Sequence, residues 1–158
     1  MKKIISLLII LPLLLCGCSD QSESASISGF SKNADVVFGD FSYTCVVVYN
    51  GSTVTVSAQS TAAAGLVITY DGKYVGITYD DISLSQMNGN FEPSNPAVAL
   101  YEAFEYVNGM DQAAFSTAKD GFIAQGETSL GKFTLETDKE YCPVRLSFEN
   151  SKLEFQFS

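Results

Sequence analysis

The chain has 158 residues, with 18 acidic and 9 basic side chains and a net charge of −9. A surface of this sign repels the phosphates of nucleic acid, which we therefore exclude as a partner. The absence of histidine excludes a histidine-dependent catalytic triad. Residues 18–158 contain no Cys-x-x-Cys pair, the spacing typical of zinc and redox motifs. The composition thus predicts a non-enzymatic protein without metal or cofactor.

The N-terminal segment predicts a secretory signal peptide over residues 1–17. Lys2 and Lys3 give it a basic start, and an apolar run follows from residue 4 to residue 15. The run is shorter than a membrane-spanning helix needs, and Pro12 interrupts it.

The end of this segment resembles the lipobox of bacterial lipoproteins. Leu15 would stand at position −3, Gly17 at −1, and Cys18 would be the lipidated residue. Cys16 is a poor competitor because Leu15 is too large for the position before the cut. The resemblance implies acyl chains, such as palmitate, that hold the protein on the extracytoplasmic face of the cell membrane, or of the outer membrane in a host with two membranes. The alternative is an ordinary signal peptide followed by a chance cysteine.

Residues 18–29 are predicted to form the lipidated cysteine and a flexible tether, because serine and other small polar residues dominate them. The folded domain is then expected over residues 30–158, a length that can bury a hydrophobic core.

The first predicted strand covers residues 41–49, where apolar and polar side chains alternate. Asn50-Gly51 predicts a two-residue hairpin turn, which would place Tyr49 opposite Ser52. The same pattern returns around Asp71-Gly72.

A helix is predicted to begin at Asn95-Pro96, because asparagine caps helices and proline suits their first turn. Apolar residues follow at helical spacing, and Asn108-Gly109 marks its end. A second, shorter helix is predicted over residues 111–118.

Four further strands are predicted at residues 121–127, 131–137, 143–148 and 152–157. Asn150-Ser151 would set the register of the final hairpin. The sequence therefore predicts an α+β fold, in which one or two helices, inserted midway, cover the apolar face of a curved antiparallel sheet of about seven strands.

This layout resembles the LolA-like, or LppX-like, family of lipoprotein carriers, which have a half-barrel domain. Three stretches carry the resemblance: residues 69–79 with Asp71-Gly72-Lys73, residues 95–100 at the helix start, and residues 131–146 with the Pro143-led strand. The resemblance implies a non-catalytic protein that binds an acyl chain or lipid.

The ligand would lie between the sheet and the helix. Its expected apolar lining consists of Val47, Val54, Val56, Ile68, Val75, Leu100, Phe104, Leu146 and Phe155. The same pattern also fits a filled core without a cavity, which would favour a cell-surface module that binds an unknown protein partner.

Three further side-chain groups are candidates for chemistry. Ser116 and Lys119 match the Ser-x-x-Lys pattern of penicillin-interacting enzymes, but the accompanying Ser-Asp-Asn and Lys-Thr-Gly elements are absent. Asp80-Asp81 is expected to lie in a solvated loop. Cys45 and Cys142 both fall on apolar faces, so a disulfide and two buried free thiols stay open as alternatives.

Overall fold

The computed structural model describes residues 26–111 and 114–158. The predicted signal peptide, Cys18 and the tether up to residue 25 lie outside these residues. The described strands and the helix are β1 (Phe30–Phe38), β2 (Phe41–Tyr49), β3 (Val54–Ala58), β4 (Val67–Tyr70), β5 (Tyr74–Tyr79), β6 (Ile82–Met87), α1 (Pro96–Asn108), β7 (Ser116–Thr117), β8 (Phe122–Thr128), β9 (Gly131–Thr137), β10 (Pro143–Phe148) and β11 (Leu153–Phe157).

All eleven described strands form one antiparallel sheet in the order β6-β5-β4-β3-β2-β1-β11-β10-β9-β8-β7. The sheet is open, with β6 at one edge and β7 at the other. The predicted antiparallel sheet with an inserted helix is therefore confirmed. The predicted count of about seven strands is wrong, because β1, β6 and β7 were not expected.

Helix α1 crosses the inner face of the sheet and contacts β3, β4 and β8. Five strands separate β3 from β8, so the two would lie about 29 Å apart in a flat sheet. The 13 residues of the helix span only about 20 Å. The sheet therefore curves around the helix so that strands on both sides reach it.

The ends of α1 follow the prediction. The Asn95 side chain accepts hydrogen bonds from the backbone N–H groups of Ala97 and Val98, at 3.1 and 3.4 Å. Gly109 follows the last helical residue and donates its N–H to Glu105 and Tyr106. The second helix predicted over residues 111–118 is wrong for residues 115–118. Ser116 and Thr117 pair with Ile123 and Phe122 of β8 instead, because a segment this short cannot sustain helical turns on its own.

The final hairpin has the predicted register. Phe148 pairs with Leu153 and Leu146 with Phe155, and all four side chains are buried. A register irregularity between Pro143 and Arg145 leaves Val144 only partly buried, although it alternates in step with the buried Leu146 and Phe148.

The first hairpin differs from its prediction. Tyr49 pairs with Val54 rather than Ser52, so four residues form the loop. The Asn50 side-chain oxygen accepts hydrogen bonds from the N–H groups of Ser52 and Thr53, at 3.0 and 2.8 Å, which stabilises the longer loop. The shift is two residues, so every side chain keeps its predicted face.

Candidate functional site

The space beneath α1 is filled by side chains. Seven of the nine residues expected to line a cavity have no exposed surface: Val47, Val54, Val75, Leu100, Phe104, Leu146 and Phe155. The helix presents Ala97, Ala99 and Ala103 as well, and these are equally buried. Small side chains let the helix approach the sheet closely, and this close packing leaves the middle of the inner face without room for a ligand.

An apolar pocket lies beside the start of α1, where the inner face continues past the helix. Its volume is about 190 Å³. The lining comes from β2, β3, β4, the connection between β3 and β4, and the first helical residue: Phe41, Tyr43, Val56, Ala58, Ala63, Leu66, Ile68 and Pro96. Val56 and Ile68 were expected to line a ligand site, and the structure brings them together here.

The pocket lies where α1 begins. Pro96, its first residue, forms part of the lining together with side chains from β2, β3 and β4. Ala58 and Ala63 stand where larger side chains would have filled the space. The alternation of apolar and polar residues predicts which face of the sheet is apolar. It does not predict which part of that face the helix covers, so pocket residues could not be distinguished from core residues.

The connection between β3 and β4 is held firmly in place at the pocket. A short 3₁₀ turn runs from Thr61 to Ala63, and the Gly65 N–H donates to the Ala58 carbonyl at 3.0 Å. The Ser60 hydroxyl accepts a hydrogen bond from the Thr44 N–H at 2.8 Å, which ties the turn to β2. These bonds fix the position of Ala63 on the pocket wall.

The mouth of the pocket is aromatic. Phe41 and Tyr43 point to the same side of β2, with ring centroids 5.7 Å apart, and Phe41 is 52% exposed. Burial raises the pKa of the Tyr43 hydroxyl well above its ordinary value, and the nearby Cys45 adds to the shift. The tyrosine therefore stays neutral, and no charged residue is part of the lining. Such a surface suits an uncharged, apolar group.

Neither Cys45 nor Cys142 forms a disulfide in the structure. Cys45 lies on β2 and Cys142 directly precedes β10, and β1 and β11 lie between these strands. Three strand spacings amount to about 14 Å, well beyond the distance that a disulfide spans.

The described ranges contain no group of three or more cysteine, aspartate or glutamate side chains arranged to hold a metal ion. Within the same part of the chain, α1 falls short of the length and apolarity that a membrane-spanning helix requires. Ser116 and Lys119, which match the Ser-x-x-Lys pattern, lie exposed at the β7 edge.

Comparison with known proteins does not assign this chain to a family. No protein-family model matches the chain, and no curated protein matches it significantly. Among solved structures, the chain is similar to a LolA superfamily protein from Nitrosomonas europaea. The two are 12% identical, with a TM-score of 0.38, and the match covers 80% of this chain and 67% of the other.

Proposed function

We propose that this chain is a membrane-anchored, non-catalytic lipoprotein whose domain binds one apolar chain, such as an acyl chain, in the pocket beside α1. The observation that carries the proposal is the pocket itself, which is lined without charge and has an exposed aromatic mouth. At about 190 Å³, it is smaller than the pockets that enclose whole drug-sized ligands. It therefore suits the end of a chain rather than a complete lipid.

The apolar surface continues from the pocket toward the β6 edge. Val56 pairs with Ile68, Ile68 with Ile77, and Ile77 with Leu84, so that one inner row crosses four strands. Exposure increases along this row from 2% at Val56 to 43% at Leu84. A chain whose end occupies the pocket could rest its remaining length on these side chains.

The pocket is tested by filling it. Ala63→Phe places a ring in the pocket, whereas Ala62→Phe adds the same ring at an exposed position of the same turn. Binding of a fluorescent fatty acid is measured for both variants and the wild type, beside thermal melts. We expect saturable binding by the wild type and by Ala62→Phe, and loss of binding in Ala63→Phe without a lower melting temperature. Equal binding by all three proteins would contradict this site.

The proposed membrane anchor is supported by the lipobox sequence alone. Cys18→Ala should leave the signal peptide uncleaved or release a soluble protein, and Cys16→Ala should change neither. Membrane fractionation and mass spectrometry of the intact protein measure both effects. Unchanged membrane association and mass in Cys18→Ala would contradict lipidation.

The second candidate function is a cell-surface module that binds a protein partner. The filled core beneath α1 favours it, since Leu100 and Phe104 leave no space for a ligand there. If the wild type shows no saturable binding of the fatty acid, this candidate becomes the better account.

A further inference from the structure

Strand β6 is an edge strand without the usual protection against pairing. Its six residues, Ile82–Met87, are all exposed and include no charged residue and no proline. Ile82 is 73% exposed, Leu84 43% and Met87 57%. Natural edge strands usually carry lysine, proline or a bulge, because their free backbone groups otherwise pair with another strand. At the opposite edge of the sheet, β7 has only two residues.

The hydrogen bonds between β5 and β6 show which backbone groups of β6 are free. The Asn88 N–H donates to the Lys73 carbonyl at 3.0 Å, and these two residues continue the β5–β6 register. Hydrogen-bonded pairs alternate along an antiparallel ladder, so Ile82, Leu84 and Gln86 bond to β5. The N–H and C=O groups of Ser83, Ser85 and Met87 consequently point to the open edge.

We propose that β6 pairs antiparallel with β6 of a second copy of this chain, about a two-fold axis at Leu84. Ser83 then lies opposite Ser85 of the second copy, and Asp81 lies opposite its Met87. With Asp81 counted beside the three outward-facing residues of β6, four residues of each copy have a partner in this register, against three after a shift of two residues in either direction. Leu84 meets its own counterpart at the axis, on the inner face of the sheet, where it is now exposed.

The charges at the two ends of β6 favour a second copy as the occupant. Asp80 and Asp81 precede β6, while Lys73 lies beyond its other end, next to Asn88. Antiparallel pairing brings the acidic end of one copy toward Lys73 of the other, and the symmetry repeats the contact. Asp71, the other charged residue of that turn, lies farther from the edge, on its β4 side. No residue of β6 is charged, so the proposed pairing puts no like charges directly opposite each other, although the chain as a whole is negatively charged.

Cysteine cross-linking in the full chain tests the proposal. Leu84→Cys places a thiol at the two-fold axis, in a pair without mutual hydrogen bonds, where the Cα atoms are about 4.5 Å apart. A disulfide fits that distance. Gln86→Cys is the matched control, because it lies on the same strand and face but about 14 Å from its counterpart in the proposed register. Mild oxidation and a non-reducing gel compare the two variants, both of which keep the natural cysteines.

We expect a cross-linked dimer from Leu84→Cys and monomer from Gln86→Cys. Equal yields from the two variants, no dimer from either, or a Leu84→Cys adduct with a different protein would each overturn the proposal. Ser85→Pro is the second test. The free N–H that it removes faces the open edge, so the fold should persist while the native dimer is lost in size-exclusion chromatography. A dimer that survives Ser85→Pro with an unchanged melting temperature would also contradict pairing through β6.

Discussion

The hydroxyl of Tyr49, on β2, donates a hydrogen bond of 2.9 Å to the carboxylate of Glu105 on α1. The Asn108 amide donates to the same hydroxyl at 3.1 Å, and its carbonyl oxygen accepts from the Ile27 N–H at 2.7 Å. The Tyr49 ring is 1% exposed and packs against Phe104, with ring centroids 5.2 Å apart. One tyrosine thus connects the sheet, the end of the helix and the segment that enters the domain.

Tyr49→Phe should lower the free energy of unfolding by about 1 kcal/mol, because it removes these hydrogen bonds and keeps the ring. It should also change the alkaline pH dependence. Burial raises the pKa of Tyr49 from 10.0 to about 12, and the hydrogen bond to Glu105 adds to the shift. The unfolded tyrosine loses its proton first as the pH rises, so stability falls between these two values. Urea midpoints at neutral pH and within that interval measure both effects.

Tyr106→Phe is the control for Tyr49→Phe. Tyr106 lies one residue after Glu105 on the same helix, but its side chain is 45% exposed. Its substitution should change the midpoint at neutral pH by less than about 0.5 kcal/mol. If Tyr49→Phe and Tyr106→Phe have the same alkaline slope as the wild type, Tyr49 does not carry the pH dependence.

The final hairpin and the ends of α1 could be predicted because local signals determine them. Leu153, Phe155 and Phe157 alternate strictly with polar residues, and only one register buries all three. Asn95 supplies its cap within three residues of chain. The predicted length of the first turn was wrong because the Asn50 side chain can also accept hydrogen bonds from the backbone, which favours a longer loop. The Asn-Gly dipeptide alone does not show which of the two turns forms.

Strands β1 and β6 could not be recognised because tertiary pairing, rather than local pattern, forms them. β1 includes Lys32, Asn33 and Asp35, which have low strand propensity. It is nevertheless paired along one side with all of β2 and along the other with β11. β6 alternates apolar and polar residues only from Ile82 to Ser85, a run too short to mark a strand, and none of its residues is buried. The pocket was missed for a related reason, because it depends on where α1 begins over the sheet.

Enlarging the alanines under the helix should destabilise the domain. Ala99→Leu or Ala103→Leu adds volume at positions with no exposed surface, so we expect a loss of about 1–3 kcal/mol. Ala64→Leu, at an exposed position beside the pocket turn, should have little effect. Thermal and urea melts of the three variants measure this. Unchanged stability in Ala99→Leu and Ala103→Leu would indicate free space beneath α1, as a ligand cavity requires.

The final hairpin should be sensitive on one face only. Leu146→Ala and Phe155→Ala should each lower the free energy of unfolding by about 2–5 kcal/mol, because both side chains are fully buried. Thr134→Ala, on the adjacent strand β9, should cost less than about 0.5 kcal/mol. Glu154→Ala removes a two-bond contact with Arg145, at 3.0 and 2.9 Å, but both side chains are partly exposed, so its cost should stay below about 1 kcal/mol. Similar costs on both faces would contradict the observed register.

The two domain cysteines should differ sharply in reactivity. Cys45 is 1% exposed, and burial raises the pKa of its thiol to about 12, with a further contribution from Asp35. The thiolate is the reactive form, so Cys45 should not react with a thiol reagent near neutral pH until the protein unfolds. Cys142 is half-buried and should react in the folded protein. Cys142→Ser should therefore abolish the fast reaction, and Cys45→Ala should preserve it.

Because neither cysteine is bridged, a reductant should leave the melting temperature unchanged. Fewer than two reactive thiols in the denatured, unreduced domain would instead reveal a disulfide.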